Sequence, residues 1–157
     1  MTGEAHFARA YMYYGLVKRY GGVPLIDKVQ DDDYADGGPG AVAVPRSTEL
    51  DTWKFVLNEC TLAAATLPDA TSGSDLYRVT KWAAYALKSR VALHAASVAK
   101  YWNLAPLAGE AVTQKLVGGM TSADADAFYK ECIEASKSLI ENSGKSLYKP
   151  APATVKE

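Results

Sequence analysis

Residue types that carry chemistry are sparse in this 157-residue chain: two histidines, two cysteines, one run of adjacent acids and a supply of aromatic residues. His6 and His94 fall in different helical segments, and neither has a second histidine four residues away, the spacing that puts two imidazoles on one helix face toward a metal. The sequence has no Gly-x-Ser-x-Gly, no His-Glu-x-x-His and no phosphate-cradling glycine loop; the glycine pairs at 37–38 and 118–119 lack the Lys-Ser/Thr or strand–helix context of a nucleotide site. Cys60 and Cys132 lie 72 residues apart with no Cys or His near either at ligand spacing, so both read as core thiols. Asp31, Asp32 and Asp33 offer the oxygens that calcium takes, but without the alternating spacing and distal glutamate of a calcium loop they read as a solvated turn. No catalytic residue, metal or cofactor is expected.

The aromatic residues carry the remaining chemistry. Ten tyrosines and three tryptophans are present, most of them on helical stripes where they read as core. Tyr34, in the acidic loop, and Tyr101-Trp102-Asn103, just past an alanine-rich helix, stand outside those stripes. A Tyr or Trp at a loop can stack on the flat C–H face of a sugar and hydrogen-bond at its rim. Tyr101 and Trp102 are therefore the candidate ligand-binding residues, against the plainer reading that they pack over the end of the helix. Arg90, amid apolar residues, is expected in a structural ion pair.

Four helices must position these groups. The first, about 4–20, places Phe7, Ala10, Tyr11, Tyr14 and Val17 on one stripe and Tyr13, Leu16 and Tyr20 on a second, so it is expected to be covered on both sides. Gly15 in its middle is tolerable if a neighbouring helix approaches closely there. The stretch RYGGVPLI stops this helix with paired glycines and a proline, and the apolar Val23, Leu25 and Ile26 need a place against the array. The second helix, about 48–67, is capped by Ser47 or Thr48 with Asp51 and ends at Leu67-Pro68; Leu50, Trp53, Leu57, Cys60, Ala64 and Leu67 share one face. The third, about 80–99, starts at Thr80 and carries seven alanines between 83 and 99, which allow close packing on more than one side. The fourth, about 123–142, presents Phe128, Cys132, Ala135 and Leu139, with Asp124 and Asp126 near its start and Gly144 after its end.

Helix starts near 4, 47, 80 and 123 form an irregular repeat, compatible with stacked helical hairpins joined by long loops. The expected fold is all-α, a tetratricopeptide-like right-handed array forming one domain over 1–157. A chain of this length buries roughly 70% of its unfolded surface, enough for a real core. A net charge of −1 supplies no general field for nucleic acid or an anionic membrane, and no apolar run reaches the length of a membrane span. The absence of a leader, and of any linker before the first helix, points to a piece of something longer.

In this order, GEAHFARAYMYYGLVKRYGGVPLI, VPRSTELDTWKFVLNECTLAAATLP and YRVTKWAAYALKSRVALHAAS resemble three consecutive blocks of the SusD/RagB proteins, and together with the fourth helix they span nearly the whole chain. His6 stands where that family usually has Arg, Tyr77 where it often has Gly, and the insert after Ser97 is longer than in its simplest members. The resemblance implies an exterior-facing outer-membrane lipoprotein that captures an oligosaccharide and forms the lid of a SusC-like TonB-dependent transporter, without catalysis. It implies membrane attachment only through an N-terminal lipid missing from this chain, and a large C-terminal portion that is also missing. It carries over no ligand residue, so Tyr101 and Trp102 rest on the aromatic argument alone.

The leading expectation is thus the helical portion of a glycan-binding component of an outer-membrane uptake system, with transporter docking as this portion's role. The alternative is a tetratricopeptide-like protein–protein interaction scaffold that binds no sugar. A glycosidase, built on two facing carboxylates from the Asp-rich loop and the helices, comes third.

Overall fold

A computed structural model describes residues 2–28 and 43–147, and its described residues are all-helical, without strands. The helices are α1 Gly3–Tyr20, α2 Glu49–Thr66, α3 Lys81–Tyr101, a single turn α4 Glu110–Thr113, and α5 Ser122–Asn142, with 3-10 turns at Gly73–Asp75 and Trp102–Leu104. The turn α4 has no counterpart in the sequence expectation because four residues are too few to show a period. Asp31, Asp32, Asp33 and Tyr34 lie outside the described residues.

Packing is sequential. α1 lies on α2, α2 on α3 and α3 on α5, while α1 only brushes α3 and, among the described residues, does not meet α5. The result is an open stack and not a closed bundle. Its core joins Ala10, Tyr14 and Val17 of α1, Trp53, Val56, Leu57 and Cys60 of α2, the small face of α3 from Val91 to Ala99, and Ala125 and Phe128 of α5. Ala92, Ala95 and Ala96 are fully buried, and their lack of bulk is what lets α2 and α5 close on opposite sides of α3. Cys60 and Cys132 are free thiols, and burial pushes the Cys60 thiol up to about 12.

α2 and α3, not α1, are the covered helices. The outer face of α1 is open, with Tyr11 60% and Met12 67% exposed and Leu16 and Tyr20 exposed beside them. Aromatic density alone therefore misled the expectation of a helix covered on both sides. Gly15 is part of the same correction: a Cβ there would meet only the Arg19 guanidinium at ordinary contact distance, so no helix presses on it.

Caps follow side-chain chemistry closely at the starts of α2 and α5 and depart from it at the start of α3. Thr48 caps α2 by accepting from Asp51 N at 3.1 Å while donating to the Asp51 carboxylate at 2.7 Å. Thr121 and Asp124 form a full reciprocal box at the start of α5, which holds the Asp124 carboxyl below its ordinary range. Thr80 occupies the N-cap of α3, but its side chain makes no capping bond.

One buried carboxylate registers α1 on α2. Glu59, 2% exposed, accepts from Arg9 Nε at 2.8 Å and from the other arm of the same guanidinium at 2.7 Å, and pairs with His6 Nδ1 at 2.8 Å. Burial works to raise its pKa, and the bonds from Arg9 and His6 outweigh that and hold it below the usual value.

The Gly-Gly stop makes a crossing of three backbone segments. Gly21 has φ of 67°, and a Cβ on it would land on the Leu116 carbonyl; one on Gly22 would land on the Ser47 carbonyl. In place of side chains there are bonds: Gly22 N to Leu116 O at 2.7 Å, Glu49 N to Lys115 O at 3.0 Å and Ser47 N to Val23 O at 3.1 Å. Arg46 donates to the carbonyls of Gly22 and Tyr20, closing the end of α1. Beyond the crossing Val23 is buried and donates to Thr52 Oγ1, and Tyr13 Oη links Pro24 O and Ile26 N, which seats the apolar segment along α1 and α2.

Two alanine substitutions should separate these glycines. Gly15→Ala is expected to stabilise by about 1 kcal/mol, raising Tm by roughly 2–4 °C. Gly22→Ala is expected to destabilise by about 2 kcal/mol or more, because a backbone carbonyl must move. Thermal and urea unfolding of the two variants measure both shifts.

Candidate functional site

On α3, Arg90, His94, Ser97 and Tyr101 recur at helical spacing and fall on one side of the helix. That side faces the last turns of α1. Between them, with the first turn of α2 and Val117 closing the end, lies a cleft of about 540 Å³ whose lining includes Lys18, Tyr20, Glu49, Trp53, His94 and Ser97, with Tyr101 and Trp102 at its mouth.

The floor is polar but satisfied. Trp53 is fully buried and its indole N–H points to Glu49 Oε1 at 3.4 Å, while Glu49 Oε2 accepts from Gly118 N at 2.6 Å. Burial raises the Glu49 pKa, and the bonds from Gly118 and Trp53 offset it only in part. The His94 ring lies 5.4 Å from that of Trp53 and edge-on to Tyr14 at 5.9 Å, and its Nδ1 shares a 3.2 Å hydrogen bond with the Tyr14 hydroxyl. Burial first, and the Lys18 charge second, hold the His94 pKa below its ordinary value, so the imidazole is neutral near pH 7. Burial raises the pKa of Tyr14, against the pull of Arg90.

The rim is aromatic. Tyr101 is 59% and Trp102 51% exposed, and Trp102 is fixed at the start of the 3-10 turn by the bond from Ala105 N to its carbonyl at 3.0 Å. Lys100 Nζ sits 5.4 Å from the Tyr101 ring and 5.7 Å from that of Tyr129. Exposed aromatic rings beside polar side chains are a setting in which a flat C–H face can stack while hydroxyls reach Ser97 and Lys18.

Of the residues singled out in the sequence, the structure brings Tyr101 and Trp102 together with His94 in one cleft. His6 is elsewhere, tied to Glu59. Arg90 is exposed and, among the described residues, forms no ion pair, which corrects the expected structural pairing. Glu49, Lys18 and Tyr20 also line the cleft and were not among the residues singled out in the sequence. The helical register shared by His94, Ser97 and Tyr101 was a usable signal, whereas Glu49 reads in sequence as an ordinary acid in the first turn of a helix. Among the described residues no three His, Cys, Asp or Glu side chains gather as metal ligands, and no helix is long and apolar enough to cross a membrane.

Residues 1–93 match the family model SusD-like_3, described as "Starch-binding associating with outer membrane". The match takes in α1, α2 and the first part of α3 and stops one residue before His94. A crystal structure of a SusD-like protein from Bacteroides fragilis NCTC 9343 is similar at a TM-score of 0.62 and 31% identity, over 92% of this chain and 21% of that one. A second solved structure, BT4246, has a TM-score of 0.67 at 24% identity over 90% of this chain and 24% of its own, a likeness of fold. The chain thus spans about a fifth to a quarter of the length of these structures. No curated protein matches it.

The neutral His94 has a measurable consequence. The unfolded chain takes up a proton near pH 6.5 and the folded chain only at lower pH, so stability is complete above 6.5 and falls as pH drops through the window below it. Denaturant unfolding at stepped pH should show that slope, and His94→Gln should flatten it. An unchanged slope in the variant would sink the assignment.

Proposed function

Because the chain belongs to the SusD-like family, we propose that it is the helical portion of a glycan-binding component of an outer-membrane nutrient-uptake system that pairs with a SusC-like TonB-dependent transporter. The observation that carries this reading is the family match over residues 1–93, whose description names both starch binding and the outer membrane. In this reading the intact protein faces the exterior, is held to the membrane by an N-terminal lipid, binds an oligosaccharide and performs no catalysis.

The cleft supports a direct role for this portion in sugar contact. Tyr101 and Trp102 supply stacking surface at its mouth, and Ser97 and Lys18 supply polar groups inside. Among the described residues lining it Glu49 is the single carboxylate, and Trp53 and Gly118 already engage it, unlike the two facing acids a glycosidase uses. The open face of α1 is the feature that favours the scaffold reading, since a helix row of Tyr11, Met12 and Leu16 is a surface that a protein partner could cover.

Co-expression of the intact protein with a transporter of this type, followed by affinity purification, is expected to recover the pair, and calorimetry is expected to detect an oligosaccharide. Trp102→Ala should weaken that binding by roughly two- to tenfold, the loss of one stacking contact. An intact protein that bound neither a transporter nor any glycan would end this reading, and one that bound only peptides would favour the scaffold.

A further inference from the structure

A second cleft, of about 580 Å³, borders the first and shares Lys18, Arg19 and Tyr20 with it. Its remaining walls include Tyr11, Tyr14 and, from α3, Arg90. The two clefts adjoin at the last turn of α1 and together form a groove lined by the C-terminal halves of α1 and α3. From Arg90 to Tyr101 the helix rises about 16 Å, room for a short oligosaccharide rather than a single sugar.

The groove is positive in a chain whose net charge is −1. Among the described residues no carboxylate lines the second cleft, and in the first Glu49 is buried and engaged by Gly118 and Trp53. Elsewhere on the same two helices cations meet acids: Arg9 meets Glu59 at 2.7 Å and Lys88 meets Glu131 at 2.7 Å. The groove cations do not, among the described residues. Lys18 lies over the Tyr14 ring at 4.7 Å, one arm of Arg19 donates to Gly15 O at 2.9 Å, and Arg90 stands exposed across from them. Lys18 and Arg19 also complement the C-terminal dipole of α1, which accounts for two of the charges. It does not account for Arg90, in the middle of α3, whose charge reaches the Tyr14 hydroxyl. Gathered cations repel one another, and an anion in the groove relieves that repulsion while its sugar rings stack on the tyrosines.

We propose that this groove binds an acidic oligosaccharide, one bearing carboxylate or sulfate groups, with Lys18, Arg19 and Arg90 as its anion-binding groups. The inference rests on the glycan-binding reading above and adds the charge class of the ligand. Arginine offers a planar fork that matches a carboxylate or sulfate with paired bonds, so Arg90 is the group expected to discriminate.

Calorimetry on the intact protein with tetragalacturonate, a sulfated chondroitin tetrasaccharide and maltotetraose tests this. At low salt at least one acidic probe is expected to bind roughly tenfold or more tightly than the neutral one, with the advantage shrinking as salt rises. Arg90→Gln is expected to remove most of that advantage and to leave the melting temperature unchanged, because Arg90 makes no bond among the described residues that folding would lose. If maltotetraose binds as well as both acidic probes, or if Arg90→Gln leaves the acidic probe unaffected, the charge inference fails and the glycan reading stands. If no oligosaccharide binds, the glycan reading fails with it. An acidic peptide binding as tightly as the best acidic sugar would assign these cations to a protein partner and overturn the inference.

Discussion

Three stretches of backbone cross at Gly21-Gly22 with no space for a side chain between them, and much of the architecture follows from that crossing. The last carbonyls of α1, the N-terminus of α2 and the loop before α5 would each carry unpaired polar groups if they ended separately. Brought together, they satisfy one another: Gly22 N–H reaches Leu116 O, Glu49 N–H reaches Lys115 O, and Arg46 covers the carbonyls of Tyr20 and Gly22. Only glycine permits the approach, because the place a Cβ would take is already filled by a carbonyl oxygen. The cleft is made from these same ends. Tyr20, Glu49 and Val117 stand within a few residues of the crossing, so the shape of the cleft is set by main-chain bonds and not by side-chain packing alone.

The other end of the α1–α2 pair is held by charge. A buried carboxylate with a guanidinium and an imidazole around it gains little net stability, since desolvation consumes most of the Coulomb attraction. Its value is register: Glu59 accepts three bonds from groups one turn apart on α1, and sliding α1 by a residue would leave the acid buried and unpaired. With the crossing at one end and this triad at the other, α1 is fixed in angle and rotation. Its outer face can then remain open, because the inner face and the two ends supply what holds it in place.

Helices and their main faces were legible in the sequence because periodicity and caps are local. Trp53, Leu57, Cys60 and Ala64 of α2 and Phe128 and Ala135 of α5 are buried as their spacing implies. What local pattern cannot report is how many sides of a helix are covered. Tyr11, Met12 and Leu16 look like core by type and are exposed, while Thr52 and Glu59 look like surface and are buried. The Gly-Gly stop was legible as a stop but not as a crossing, since the groups it admits, Ser47 and Leu116, are far along the chain. The site divides the same way. Tyr101 and Trp102 were legible from their place at the end of the alanine-rich helix, which runs on to Tyr101, whereas Glu49 and Lys18 joined the cleft only because α2 and α1 placed them beside His94.

Folding leaves a particular set of groups unused, and their distribution carries functional meaning. Among the described residues, every buried side-chain nitrogen and oxygen has a hydrogen-bond partner. Glu49 and Glu59, the buried acids, are each claimed by fixed donors, and His94, held neutral against Trp53 and Tyr14, is bonded at one ring nitrogen. A ligand competing for these groups would have to break bonds the fold already makes, at the cost of a buried polar atom left unpaired. The surrounding groove differs. Its Tyr11, Tyr20, Tyr101 and Trp102 are about half exposed, and among the described residues its cations face water and aromatic surface instead of carboxylates. Recognition there would add contacts without dismantling any, and a rigid, satisfied floor would hold those contacts in place before a ligand arrives.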